Sequence, residues 1–424
     1  MTSAPALPEW TLALALAGTA ERRERMRPLA AALVEQIDPG TFAAVLSSER
    51  LLPLLGARAQ TLAGARLPQA FHAAVADATL RTALAGEAQE TLTVHLARRL
   101  DAARIRAIPL KGPLLGRAIH GVPGMRIGTD VDLLVHPTDL ARAREVLVGI
   151  GYDSASMRLD RRGLPVLHHA LRPASPGLPP IDLHWRVHWY EEDFAAAVVE
   201  RSVPDPLHVW RAQPADELAM LLLTYARDGF VGLRLAADLA AWSDALGATV
   251  PNCALAAIAA DHPQLEGALL AASDRARRTV GLPDRLLERG PGGARVRAAQ
   301  RLANWSCRGG NAQALANVSL IDALLMPRGQ LRAFAARHLS RRPSVSTLDG
   351  ARRPRLHAPR VLLRYALACA RIGARREWSP LPEAQTLLAT ADAPASSGAV
   401  PRARQAPPAT IPAHVHRSSS EKVC

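Results

Sequence analysis

Over roughly the first hundred residues apolar positions recur three and four apart, in "MRPLAAALVEQI" and then through "PQAFHAAVADATLRTALAGEAQETLTVHLARRLDAARI". That spacing keeps one face of a helix apolar, so a helical N-terminal region is expected over 1–100. At "IRAIPL" the pattern shortens to an apolar run closed by Lys111 and Gly112, and "PLLGRAIHG" follows with Pro113 suited to a first helical turn. The expectation is a strand, a tight turn and a helix.

In "TDVDLLVHP" side chains alternate with period two: Val131, Leu133 and Val135 fall on one face of a strand, Asp130 and Asp132 on the other. Pro137 stops that strand and opens "TDLARAREVLVGIG", an amphipathic helix ended by Gly149 and Gly151. A further strand is expected through "PIDLHWRVHWY", where Ile181, Leu183, Trp185, Val187 and Trp189 alternate with Asp182, His184, Arg186 and His188. Trp185 belongs to its core face. These segments mark a strand-bearing core over 101–200.

Helical periodicity returns over 205–375, clearest in "DELAMLLLTYARDGFVGLRLAADLAAWSDAL", and 380–424 is a Pro/Ala/Ser-rich stretch expected to be disordered. Only 4% of residues are aromatic while Ala and Leu abound, which agrees with a mostly helical chain. The 424 residues exceed one ordinary hydrophobic core. Four dispersed cysteines without a CxxC pair fit reduced thiols, and "WTLALALAGTA" lacks the basic residues that precede a secretory signal, so a cytoplasmic protein is expected. No apolar run reaches the ~18–20 residues that a membrane-spanning helix needs.

The net charge of +14, from 52 basic and 38 acidic residues, suits contact with nucleic acid, an anionic surface or a phosphorylated small molecule, and does not choose among them. The arginines are scattered, which also fits a coding bias toward Arg and Ala. Against that background Lys111 stands out: the only other lysine is Lys422.

Two carboxylates sharing a strand face about 4 Å apart repel by roughly 4 kcal/mol at an effective dielectric near 20. A hard divalent cation, Mg²⁺ or Mn²⁺, compensates such a pair, with phosphate oxygens filling further positions. Asp182 adds a third carboxylate if its strand lies beside the first, a set that suits two-metal displacement at phosphorus and supplies an acceptor for a proton. Lys111 and Gly112 end a strand just before a helix, where backbone N–H groups, the helix dipole and an ammonium favour phosphate. Arg126 is placed to contact a phosphate or to pair with a carboxylate of the cluster. His184 and His188 have the spacing of a helical zinc pair, but on a strand that spacing is ~13 Å, too far to share an ion; His184 is assigned instead to the lining of the cleft. His168 and His169 have no assigned partner and are expected to be structural or exposed.

The run "IPLKGPLL…GMRIGTDVDLLVHPTDLARAREVLVGIGY", followed by "IDLHW", resembles an uncharacterised nucleotidyltransferase family of the polymerase-β-like superfamily. The resemblance rests on an L-K-G turn, an arginine just before D-[IV]-D-L-L-V and a later L-H-W strand, and is strongest over 88–190. It implies an α+β protein in which a small mixed β-sheet nucleotidyltransferase core is flanked by helices. It implies Asp130 and Asp132 as metal ligands, Asp182 as the third carboxylate, and Lys111 and Gly112 where the wider superfamily carries a Gly-Ser turn. The implied chemistry is NMP transfer from an NTP, ATP included, to a hydroxyl of an acceptor: small molecule, protein or RNA. Two alternatives stand beside it. One is a noncatalytic nucleotide-sensing or protein-partner-binding module on the same fold. The other is a metal-dependent glycosyltransferase, which would want a nucleotide-binding α/β half before its D-x-D.

Overall fold

A computed structural model describes residues 7–154, 167–286, 293–305, 318 and 320–330. The expected tail over 380–424, and the part of the C-terminal helical region beyond residue 330, lie outside the described residues. The chain opens with five helices: α1 (Leu7–Ala17), α2 (Ala20–Val34), α3 (Pro39–Ser48), α4 (Leu52–Ala63) and α5 (Gln69–Ala102). Thr19 caps α2 and Asp38 caps α3, each accepting from a backbone N–H three residues on. The stretch "WTLALALAGTA" becomes α1, buried from Leu12 to Ala17. An apolar helix covered all round belongs to a protein core.

The strand-bearing stretch then follows: β1 (Ala107–Pro109), α6 (Pro113–His120), β2 (Val131–Val135), α7 (Leu140–Gly149), β3 (Tyr152–Ser154), β4 (His168–Pro173) and β5 (Ile181–His184). After it come α8 (Phe194–Arg201), a two-strand ribbon of β6 (Val203–Pro204) and β7 (Trp210–Arg211), and five more helices: α9 (Pro214–Arg227), α10 (Arg234–Leu246), α11 (Ala254–Asp261), α12 (Glu266–Val280) and α13 (Ala294–Trp305). The fold is α+β. Among the described residues no helix is long and apolar enough to cross a membrane.

Five strands pair in the order β1-β2-β5-β4-β3, with β2 and β5 parallel and the other neighbours antiparallel. Alternation gives the sheet two different faces. Val131, Leu133, Val135, Ile181 and Leu183 pack with Leu96 and Leu100 of α5 and Leu140, Ala143 and Leu147 of α7. Leu134 and Ile108, on the opposite face, join a larger core that combines α1–α5 with α8–α12. Helices, with no preceding nucleotide-binding α/β half, lead into the D-x-D, contrary to what a glycosyltransferase would need.

One strand is shorter than its alternation suggested. β5 ends at His184, and Arg186, Val187, His188 and Trp189 lie beyond it. Trp185 still donates its N–H to Leu167, but Val187 gives its N–H to the Glu191 carboxylate and its carbonyl to Arg227. Side chains have taken the backbone groups that a strand would pair, so the ladder stops. Trp185 packs against the sheet core as expected.

Candidate active site

The turn after β1 is built on glycine. Leu110 N–H still reaches the Asp132 carbonyl at 3.1 Å; Gly112 then adopts φ 80°, a left-handed-region value that any Cβ would strain, and α6 begins at Pro113. The reversal aims Lys111 back over the sheet. Its ammonium lies 3.5 Å from Asp132 Oδ2 and the side chain is 19% exposed. This is no surface lysine with its head in water. The first turn of α6 adds the amides of Leu114 and Leu115, which have no acceptor within the helix.

The parallel pairing of β2 and β5 sets Asp132 directly opposite Asp182. Asp130 lies one residue before β2, not within the strand as the alternation had it, yet stays in the group. Carboxylate oxygens of Asp130, Asp132 and Asp182 lie within 4.8 Å of one another. Burial works against ionisation of Asp132, but Lys111, His184 and Arg227 outweigh it and hold the carboxyl well below its usual range. Asp182 goes the other way: burial first, then the charges of Asp132 and Asp130, push it up to about 7. Lys111 therefore compensates one carboxylate, and the group as a whole remains short of positive charge.

His184, buried at the end of β5, places Nε2 2.8 Å from Asp132 Oδ1. Burial lowers its pKa in spite of that carboxylate, so the neutral ring donates its Nε2–H. The contact is with a carboxylate of the cluster. His168 corrects the sequence reading: antiparallel pairing sets it opposite His184, and its Nε2 lies 3.4 Å from Asp182 Oδ2. His188 joins neither group of side chains able to hold an ion among the described residues; it stacks edge-on against Tyr190.

Arg126 is buried, and its Nε donates to Asp238 Oδ2 of α10 at 2.7 Å. Its recorded partner is thus a carboxylate outside the acidic group, and Asp238 gains a defined role as the counter-ion. Arg227, at the end of α9, is a contributor that the linear pattern did not reveal: it adds positive potential at Asp132 and His184.

The donor chemistry of Asp130, Asp132 and Asp182 fits a hard divalent cation, since all the ligands offered are oxygen. The raised Asp182 is what burial, together with two neighbouring carboxylates, gives when too little positive charge accompanies them. A second group, His168, Asp182 and His184, is also close enough to share an ion, but its two imidazoles suit a softer ion than one that accompanies phosphate oxygens. The oxygen-only set is the better fit.

A mixed sheet with three carboxylates gathered at a parallel strand pair, beside a strand–glycine turn–helix, defines an α+β protein whose acidic group is compatible with a metal ion. The chain belongs to an uncharacterised nucleotidyltransferase family, whose sequence model matches residues 35–280, more than half of the chain. No curated protein matches it.

Proposed function

We propose that the protein transfers a nucleoside monophosphate from an NTP to a hydroxyl of an acceptor, with Asp130, Asp132 and Asp182 holding Mg²⁺ or Mn²⁺. The observation that carries this reading is the register that sets Asp132 opposite Asp182, with Lys111 reaching the same carboxylates from the glycine turn. A bound cation would neutralise the triphosphate and the acceptor oxygen as charge moves between them.

The chain's own groups divide the remaining work. His184 holds Asp132 in one orientation through its Nε2–H. Asp182, directly opposite Asp132 on the neighbouring strand, takes the proton of the attacking hydroxyl. As the acceptor oxygen bonds to the α-phosphorus, the bond from that phosphorus to the bridging oxygen breaks and pyrophosphate leaves. Lys111 and the first-turn amides of α6 receive the β- and γ-phosphates, a task for which the ammonium would be free where Asp132 held a cation. Arg126, held by Asp238, ties the loop before β2 to α10.

Titration calorimetry of each NTP with Mg²⁺, on the wild type and on Asp130→Ala/Asp132→Ala, tests the site. Cation-dependent binding lost in the double variant is expected. An acceptor screen with labelled NTP should then give pyrophosphate release that Asp132→Asn reduces by more than the roughly 10–100-fold seen when a ligand's supporting partner is removed. Full turnover in Asp132→Asn would refute the cation site. NTP binding without turnover against any acceptor class would instead indicate a sensing module.

A further inference from the structure

The Asp130 carboxylate has little to hold it. It precedes β2, and its side chain accepts a long hydrogen bond from the adjacent Thr129, at 3.4 Å, and shares one with the carboxyl of Asp182, itself a member of the group. Its position therefore depends on its backbone, and that backbone is gripped from outside the sheet. Gln89, in the middle of α5 and 8% exposed, uses both ends of its carboxamide. Its Oε1 accepts from Gly128 N–H at 2.9 Å, and its Nε2 donates to the Asp130 carbonyl at 2.8 Å. The orientation is unambiguous, because an amide N–H only donates and a carbonyl only accepts.

On the other side of the same peptide unit, Val131 N–H donates to the Pro180 carbonyl at 2.9 Å. The Asp130–Val131 peptide plane is thus fixed at both of its polar groups, by α5 and by the segment entering β5. Glycine geometry brings the partners this close. A Cβ on Gly86, one turn before Gln89, would stand 2.6 Å from Gly124 Cα, and one on Gly128 would stand 2.8 Å from the Asp130 carbonyl oxygen. Thr93 secures the Gln89 turn of the helix by donating its hydroxyl to the Gln89 carbonyl at 2.7 Å.

We propose that Gln89 is a positioning residue for Asp130: its carboxamide locks the turn at 128–130 so that the Asp130 carboxylate is presented beside Asp132 at a fixed place for the cation. This rests on reading the three carboxylates as a cation site. Gln89→Met keeps the length and loses both hydrogen bonds. Gln89→Glu keeps the acceptor for Gly128 but sets a carboxylate oxygen against the Asp130 carbonyl. Both variants remove the grip on Asp130.

The test uses the full chain and Mn²⁺ alone, with free Mn²⁺ read by electron paramagnetic resonance and amide hydrogen exchange followed at residues 128–131. Both variants should exchange faster there and bind Mn²⁺ roughly 10–100-fold more weakly, the range found when a group orienting a metal ligand is removed. Leu55→Ala, in the fully buried core of α4, is the control: it lowers the melting temperature without weakening Mn²⁺. Unchanged exchange at 128–131 in Gln89→Met would overturn the lock itself. Faster exchange with wild-type Mn²⁺ affinity, or an equal loss of affinity in Leu55→Ala, would overturn the positioning role. Wild type that binds no Mn²⁺ would overturn the cation reading on which the role rests, while exchange would still decide whether the lock exists.

Discussion

Lys111 shows how much one side chain can carry. Its ammonium lies beside Asp132, and in the proposed function it would serve phosphate where a cation took over that carboxylate. Lys111→Met should therefore weaken NTP·Mg²⁺ binding by roughly ten- to a hundredfold, the scale of one charge-assisted hydrogen bond, with a small effect on the melting temperature. Equilibrium dialysis and a thermal scan on the same samples check both halves. At this scale the sequence was informative where chemistry is written in residue type: three aspartates, a rare lysine and the histidine of "IDLHW". It said nothing of His168 or Gln89. His168 reaches the site through the pairing of β4 with β5, and Gln89 from a helix 41 residues before the loop that it grips. No local pattern records a partner that distant.

Among the elements, β2 was legible because Val131, Leu133 and Val135 fill one face while Asp132 keeps the other partly polar, which gives the alternation of a strand. In β4 only Leu171 is buried, so there was no alternation to find. The overreading of β5 has the opposite cause: Val187 and Trp189 kept an apolar rhythm after Glu191 and Arg227 had taken the backbone. The loop before β2 is tied to the C-terminal helices by Arg126 and Asp238, with side chains 6% and 4% exposed, and by Arg234 of α10, which donates to the Ile127 carbonyl. Arg126→Ala leaves a buried aspartate unpaired and should cost about 3–5 kcal/mol. Arg126→Met/Asp238→Leu, which leaves no lone charge, should recover much of that. Urea denaturation of the three proteins measures the difference.

For the molecule as a whole, the helices from both ends of the described chain share one apolar core, and a carboxyl lies within it. Glu191 is 2% exposed; burial pushes it up to about 8 even though Val187 N–H donates to it. Unfolding lets this group ionise near its ordinary pKa of 4.5. The folded protein thus binds more protons than the unfolded chain between about pH 4.5 and 8, and stability falls as pH rises across that window, by at most about 1.4 kcal/mol per unit from this group. Glu191→Gln should lose that component of the slope and gain on the wild type toward pH 8, as stability curves at several pH values would show. The level placement of Asp132 and Asp182 also bears on how such a protein can change over evolutionary time. Residues gained at the exposed turn around Gly177, where nothing packs against the glycine, leave the ladder in place. A single residue gained between Ile181 and Asp182 would turn both Asp182 and His184 to the opposite face in one event. Length is therefore open to change at the turn around Gly177 and closed to it within the strand that carries Asp182 and His184.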